Sequence, residues 1–387
     1  MRVLFSFVGG RGHVEPLIPI AVAVRAAGHT VAFTGAHTPL RSVGALGFEV
    51  FPLGSQPAGT PPKRLPLQEL DPAREERDLR ERFVRRAARD RVPAILTLSA
   101  DWRPDLVVCD EVDFGAAIAA ERSGIPHATV LVLAAGTLAR PQVVAEPLDE
   151  LRAEHGLAPD PELKMLSRFL ILSPVPPSYR DPAHPLPATT HFFRTFAPAP
   201  REQPPPWLER MEAPTVLFTL GTEFNLESGD LFARVLAGLQ ELRIGVIVTV
   251  GSQIDPAELG PLPATVHAER YIPQSLVLPH CSAALSHGGS GSVLGALAHG
   301  LPQVLIPMGA DQPLNARRCE ILGVARVLDP VRCTSAEVRE AVSAVLSEAS
   351  YRSAAEVLRE EMATLPPLAH AVSLLERLAT ERRPLLR

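Results

Sequence analysis

LSHGGSGSVLGALAHGLPQVLIPMGADQPLN, Leu285 to Asn315, reads as a strand, a glycine-rich turn, a helix and a second strand. A short apolar run ends at His287, and three glycines and two serines follow within five residues. Val293 to Ala298 then has helical character, Gly300 and Pro302 stop it, and VLIP reads as a buried strand. A helix that begins at such a turn aims unpaired backbone N–H groups and the positive end of its dipole into it. A phosphate or diphosphate can be held there without a lysine. The same turn also serves as a plain strand-to-helix connection with glycines for tight packing, so the rest of the chain has to decide.

Upstream of this stretch the same rhythm recurs. TVLFTLG is a strand entering a glycine turn, Ser228 to Leu242 a helix, GVIVTVG a strand, TVHAERYIP a short strand and loop, and Ser275 to Pro279 a helical turn. Downstream, Val324 to Leu328 and the helix Ser335 to Ala349 close the sheet, and Tyr351 to Met362 and Leu368 to Arg382 are amphipathic helices. The first half opens in the same way, with RVLFSFV, the turn GGRGH, a helix from Val14 to Ala27 and the strand HTVAFTG. This βαβ beginning is the unit of a parallel sheet covered by helices. A third strand near Leu53 follows, then a proline-broken loop from Pro57 to Pro72 and an arginine- and glutamate-rich amphipathic helix from Pro72 to Leu98 that reads as a solvated face. DLVVCDEVDFG, HATVLVLAA and FLIL supply further strands, FLIL the last of this half.

The expected architecture is therefore α/β, with two Rossmann-like parallel domains. Residues 1–200 form the N-terminal one, with a proline-rich linker at about 174–212, and residues 213–365 the C-terminal one. The last helix, within 366–387, can pack on either domain and is assigned to the N-terminal one. The chain has 387 residues, suited to two domains at the usual ~150 residues each, and 40 prolines, about twice the typical share. A content of 46% hydrophobic and 21% charged residues is ordinary for a globular enzyme, and no apolar run approaches a membrane span. The opening apolar run continues into glycines with no cleavage site, so it reads as a first strand and not a signal peptide. A net charge of −5 gives no reason to expect nucleic acid as a partner. Cys109, Cys281, Cys319 and Cys333 have no CxxC spacing, which suits a reducing cytoplasm and suggests no metal site.

Ligands of doubly wound sheets sit beyond the carboxyl ends of the strands, so polar groups there are the candidates. His13 follows the first strand, and Asp110 ends the DLVVC strand. A carboxylate on one imidazole nitrogen fixes the tautomer and raises the basicity of the other. Glu111 and Asp113 are alternative partners for His13, or merely solvated acids. In the second half, Gly221 and Thr222 end the first strand and offer a hydroxyl and a backbone N–H to a phosphate. Tyr271 can stack on a base, with Ile272 offering backbone groups. His287 to Ser292 is the anion turn, with Gly289, Ser290, Gly291 and Ser292 in it, and Asp311 and Gln312 can bind sugar hydroxyls or cap a helix.

Two nucleotide readings fail. The first turn has Glu15 where a dinucleotide fingerprint needs its third glycine, and the second strand ends in FTGAHT without a carboxylate. No GK[ST] of a phosphate-binding loop is present.

The GHVEP turn, the PDLVV-D strand, the Y-I-P-Q element and HGGSGS…G-ADQ-N together resemble the family 1 glycosyltransferases of GT-B fold, particularly the bacterial natural-product enzymes. The resemblance runs over nearly the whole chain. It implies two domains facing across a cleft and an inverting, metal-independent hexosyl transfer from a UDP- or TDP-sugar to a hydroxyl of a small aglycone. The nucleotide sugar is then a co-substrate, and no cofactor is needed. By the resemblance His13 is the general base and Asp110 orients it. Thr222, His287, Gly291 and Ser292 hold the diphosphate, Tyr271, Ile272 and Gln274 meet base and ribose, and Asp311 and Gln312 meet the sugar. Many relatives have Trp where Tyr271 stands, so the uracil or thymine choice stays open, as does formation of a homodimer. The competing readings are a nucleotide-sugar epimerase or hydrolase of the same fold and a non-catalytic nucleotide-sugar-binding partner protein.

Overall fold

Val3, Leu4 and Phe5 are all fully buried although they alternate between the faces of one strand, the signature of a parallel sheet covered on both sides. In the computed structural model, which describes residues 1–54, 65–195, 204–211, 214–222 and 224–387, that strand lies in the interior of the first of two sheets. The first sheet contains β1 (Arg2–Ser6), β2 (Thr30–Gly35), β3 (Glu49–Pro52), β4 (Leu106–Asp110), β5 (His127–Val130), β6 (Leu170–Ser173) and β7 (Thr190–Phe192). Its order is β3-β2-β1-β4-β5-β6-β7, and all pairings are parallel. The second contains β8 (Thr215–Thr219), β9 (Gly245–Thr249), β10 (Val266–Glu269), β11 (Ala283–Ser286), β12 (Gln303–Leu305) and β13 (Ala325–Val327). Its order is β10-β9-β8-β11-β12-β13, again all parallel.

Both orders are doubly wound. The chain steps outward from the first strand in one direction, then returns and continues in the other. The connections leaving β1 and β4 thus diverge, as do those leaving β8 and β11, and each divergence opens a crevice at the carboxyl ends of its strand pair. Ser6 lies beside Cys109 in one sheet and Thr219 beside Ser286 in the other. The residues after those pairs are His13 and Asp110 in the first case, Gly221 and His287 in the second.

By internal contacts the chain separates into two compact units. Met1–Ala58, Pro72–Thr195 and Leu365–Arg387 form one; Gly59–Asp71 and Phe196–Thr364 form the other. In the first, Val3, Phe5, Leu17, Ile20, Val107 and Phe114 belong to a single core. The last helix, Leu368–Glu381, adds Ala371, Leu374, Leu375 and Leu378 to that core. His29 Nε2 lies 2.8 Å from Glu376 Oε1, and Leu385 N–H donates to the Phe169 carbonyl. In the second unit, Phe218, Leu231, Val235, Val248, Leu285 and Val342 share a core on one face of the sheet, while Leu217, Ile247, Ile272 and Leu276 cluster on the other.

Three expectations change. Thr190–Phe192 is a seventh strand, so FLIL is not the last strand of its half. The reason it escapes notice is its length, three residues among prolines. The proposed linker at about 174–212 is thus partly sheet, and its residues 196–203 and 212 lie outside the described ones, as do residues 57–64 of the loop from Pro57 to Pro72. The single helix from Pro72 to Leu98 is three successive helical stretches ending at Trp102, and its middle one, Leu79–Ala88, winds with wider i→i+5 turns. That helix is not merely a solvated face, because Leu79, Val84 and Ala88 are buried. All four cysteines are free and buried. Among the described residues no helix is long and apolar enough to cross a membrane.

Candidate active site

The first sheet's crevice holds the imidazole. His13 lies in the short helical turn Arg11–Val14 after β1, with Nδ1 3.6 Å from Asp110 Oδ2. The Asp110 side chain is fully buried, whereas that of His13 keeps a fifth of its surface exposed. Asp110 is held rigidly, since Oδ2 accepts the Val8 N–H and Oδ1 the Val112 N–H, each at 2.8 Å. The imidazole occupies space that a side chain at position 9 would need. A Cβ on Gly9, whose φ is +92°, would meet His13 Cδ2 at 2.9 Å.

The two other acids have different employment. Asp113 takes a bidentate hydrogen-bonded ion pair from Arg91, at 3.0 and 2.6 Å, accepts the Ser6 hydroxyl, and caps the helix Phe114–Arg122 through Ala116 N–H. It ties the helix Arg89–Trp102 to the sheet. Glu111 Oε1 accepts the N–H groups of Val132 and Leu133 at 2.7 and 2.6 Å. Burial pushes its carboxyl up to about 7, opposed by the Arg180 guanidinium and the Leu133 and Val132 N–H groups and reinforced by Asp110. Arg180 donates in turn to the Leu133 and Ala134 carbonyls. Both of these acids are engaged elsewhere, whereas Asp110 faces the imidazole.

The second sheet's crevice is built around another imidazole. His287 follows β11 and fits in a slot between two glycines. A Cβ at Gly221 (φ +75°) would come within 2.6 Å of its ring, and one at Gly289 within 2.5 Å of Nε2. Burial pushes its pKa down to about 4, with the Thr219 backbone pulling the other way, so the ring is neutral near pH 7. The helix begins at Ser290 and runs to Ala298, three residues earlier than the apolar pattern suggests, so Ser290, Gly291 and Ser292 form its first turn. No acidic side chain lies in that turn and no side chain caps it.

The hydroxyls and amides around it form a connected set. Ser290 Oγ donates to Asp311 Oδ2 at 2.6 Å, and buried Asn315 donates through Nδ2 to Asp311 Oδ2, to Ser290 Oγ and to the Gly288 carbonyl. The Ser290 hydroxyl proton is therefore directed to a carboxylate. Asp311 stands at the N-cap position of the helix Gln312–Ile321 but makes no side-chain capping bond. Gln312 is buried, and its Oε1 accepts the Met308 N–H at 2.8 Å. Gln274 Nε2 donates to Ser292 Oγ at 3.0 Å, which leaves the Ser292 hydroxyl proton to face elsewhere. The Gly221 N–H donates to Thr219 Oγ1, so it is already engaged. Thr222 is exposed, Tyr271 is 46% exposed, and the Ile272 side chain packs in the core so that only its backbone can serve a ligand. Asn315 is a site residue beyond those to which the sequence motifs give a role; its i, i+4 spacing from Asp311 is the signal that finds it.

The family described as Erythromycin biosynthesis protein CIII-like, C-terminal domain, matches residues 233–378. Tylactone mycaminosyltransferase of Streptomyces fradiae is 29% identical, over 99% of this chain and 93% of its own. 4'-demethylrebeccamycin synthase of Lentzea aerocolonigenes is 30% identical, over 97% of this chain and 99% of its own. The chain belongs to the natural-product glycosyltransferases. The crystal structure of glycosyltransferase VinC in complex with DTDP is similar over 98% of this chain and 100% of VinC, at 25% identity and a TM-score of 0.75. The two parallel α/β units are accordingly those of a GT-B glycosyltransferase, and the dinucleotide-enzyme reading of the first turn is excluded on sequence and family alike.

Proposed function

We propose that this glycosyltransferase moves a sugar from a TDP-sugar to a hydroxyl of a small natural-product aglycone with inversion and without a metal ion. A UDP-sugar is the other donor to test. The observation that carries the reading is the His13–Asp110 pair. The carboxylate, fixed by two backbone N–H groups, faces Nδ1 and leaves Nε2 to take the acceptor proton as the oxygen attacks the anomeric carbon. The leaving diphosphate is received in the second unit by the first turn of the helix Ser290–Ala298, by neutral His287 acting as a hydrogen-bond donor, and by Ser292 and Thr222. Donors arranged in advance around a developing charge are worth about 3–4 kcal/mol each. Tyr271, the Ile272 backbone and Gln274 serve base and ribose, and Asp311 and Gln312 the sugar. The dTDP bound to VinC supports thymine over uracil.

The test is a screen of UDP- and TDP-sugars with a phenolic acceptor and mass-spectrometric detection, run with and without EDTA and repeated on His13→Ala. Transfer from a TDP-sugar that survives EDTA and nearly vanishes in His13→Ala is expected. Full activity in the variant would remove His13 as the base. A strict Mg²⁺ requirement would mean that the diphosphate is not neutralised by the protein alone.

A further inference from the structure

Phe83 lies in the middle of Leu79–Ala88, the helical stretch with i→i+5 turns. Widened turns of this kind are rare and concentrate at functional sites. This one is held on both sides. On the inner side Leu79, Val84 and Ala88 are buried in the core. On the outer side Arg80 pairs with Glu146, Arg85 with Glu150 at 2.6 Å, and Arg89 with Glu154 at 2.6 Å, a ladder onto the helix Pro141–Glu154. Arg80 and Arg85 are five apart and both reach Glu146, which the i→i+5 winding between them allows.

The consequence is the placement of one aromatic ring. Phe83 follows the same winding, and its ring centroid lies 6.0 Å from that of His13, with the planes inclined by 35°. Its neighbour Val84 is fully buried, but Phe83 is only half-buried. A hydroxyl that gives its proton to His13 must come within about 3 Å of the ring nitrogen. The carbon skeleton bearing that hydroxyl then comes within van der Waals reach of Phe83. An aromatic face accepts at most a weak hydrogen bond from a neighbouring hydroxyl and rewards contact with apolar carbon.

We infer that Phe83 is a specificity-determining wall of the acceptor site, selecting hydroxyls carried on an apolar or aromatic skeleton over those of polyols. This rests on His13 being the base. Phe83→Ala and Phe83→Leu are to be compared with the parent enzyme on a phenolic acceptor, with donor and acceptor KM measured separately. Phe83→Ala should raise the acceptor KM about tenfold or more, as losses of apolar contact in a substrate site do, and leave the donor KM unchanged. Phe83→Leu, which keeps the volume but not the ring, should recover most of the loss and confirm that the stretch still folds. An unchanged acceptor KM in Phe83→Ala, or an equal rise for donor and acceptor, overturns the proposal. His13→Ala run alongside separates the two readings. Full turnover in that variant removes the base assignment, whereas lost turnover there together with an unchanged acceptor KM in Phe83→Ala removes the role of Phe83 alone.

Discussion

Ser290 Oγ donates to Asp311 Oδ2 at 2.6 Å, and Asn315 Nδ2 donates to the same oxygen at 2.8 Å. The carboxylate that the proposal assigns to the donor sugar is thus oriented by two protein donors before any ligand arrives. Asp311→Ala should weaken a sugar nucleotide more than the free nucleotide in titration calorimetry. Equal losses for both would exclude a sugar contact. The variant also removes the acceptor of two hydrogen bonds, from the Ser290 hydroxyl and the Asn315 amide, a loss of about 1–3 kcal/mol in stability.

Asp110 and Asp113 give the second test, because they differ in what they hold. Asp110→Asn cannot satisfy both backbone N–H groups, since one of its two atoms becomes a donor facing Val8 or Val112. It should lower kcat and stability together. Asp113→Asn weakens the partner of a buried guanidinium, and breaking such a pair costs about 3–5 kcal/mol. Its kcat per folded molecule should stay near the parent value. Comparing chemical-denaturation midpoints with turnover distinguishes them, and a larger kcat loss in Asp113→Asn would reverse the assignment.

The difference between these acids also marks how far the sequence could be read. DLVVCDEVD shows three carboxylates in four residues, and nothing in their spacing says which one meets His13. The choice is made by partners distant in sequence: Arg91 for Asp113, the Val132 and Leu133 N–H groups for Glu111, and Val8 for Asp110. Strands such as VLF and LVV were legible because burial on both faces leaves a continuous apolar run. Thr190–Phe192 was not, because three residues carry no period. The widened turns of Leu79–Ala88 were hidden for another reason, since the ladder that accompanies them reaches a helix far along the chain, with Arg85 and Glu150 65 residues apart. The Ser290–Asp311–Asn315 set joins two helices whose proximity follows only from the sheet order.

Burial of Glu111 and His287 predicts pH effects of opposite sign. Glu111 is raised from 4.5 to about 7, so between those values the folded chain binds more protons than the unfolded one, and stability falls as pH rises. His287 is lowered from 6.5 to about 4, so the unfolded chain binds more protons there, and stability falls as pH drops through 6.5 toward 4. Each shift corresponds to about 3 kcal/mol. Relative to the parent, Glu111→Gln should lose less stability between pH 4.5 and 7, and His287→Asn should lose less on acidification from 6.5. Denaturation midpoints across pH 4–8 would show these slopes, and parallel curves for parent and variant would mean the group titrates normally.

Gly289 and Gly291 sit two residues apart at the helix start, yet substitution should act through different atoms. A Cβ at Gly289 meets His287 Nε2 at 2.5 Å, so Gly289→Ala must displace the imidazole in the free protein. Lower stability and a kcat reduced about 100-fold, the cost of one lost donor to a developing charge, are expected. A Cβ at Gly291 meets nothing within 4 Å, so Gly291→Ala, at an unobstructed helical position, should keep or raise stability, by up to about 1 kcal/mol. Any loss of dTDP affinity in that variant then arises from the ligand's own approach to the backbone, because no protein atom has moved. Calorimetry on both variants reads this directly. If Gly291→Ala binds dTDP as the parent does, the diphosphate does not lie over the first turn of this helix.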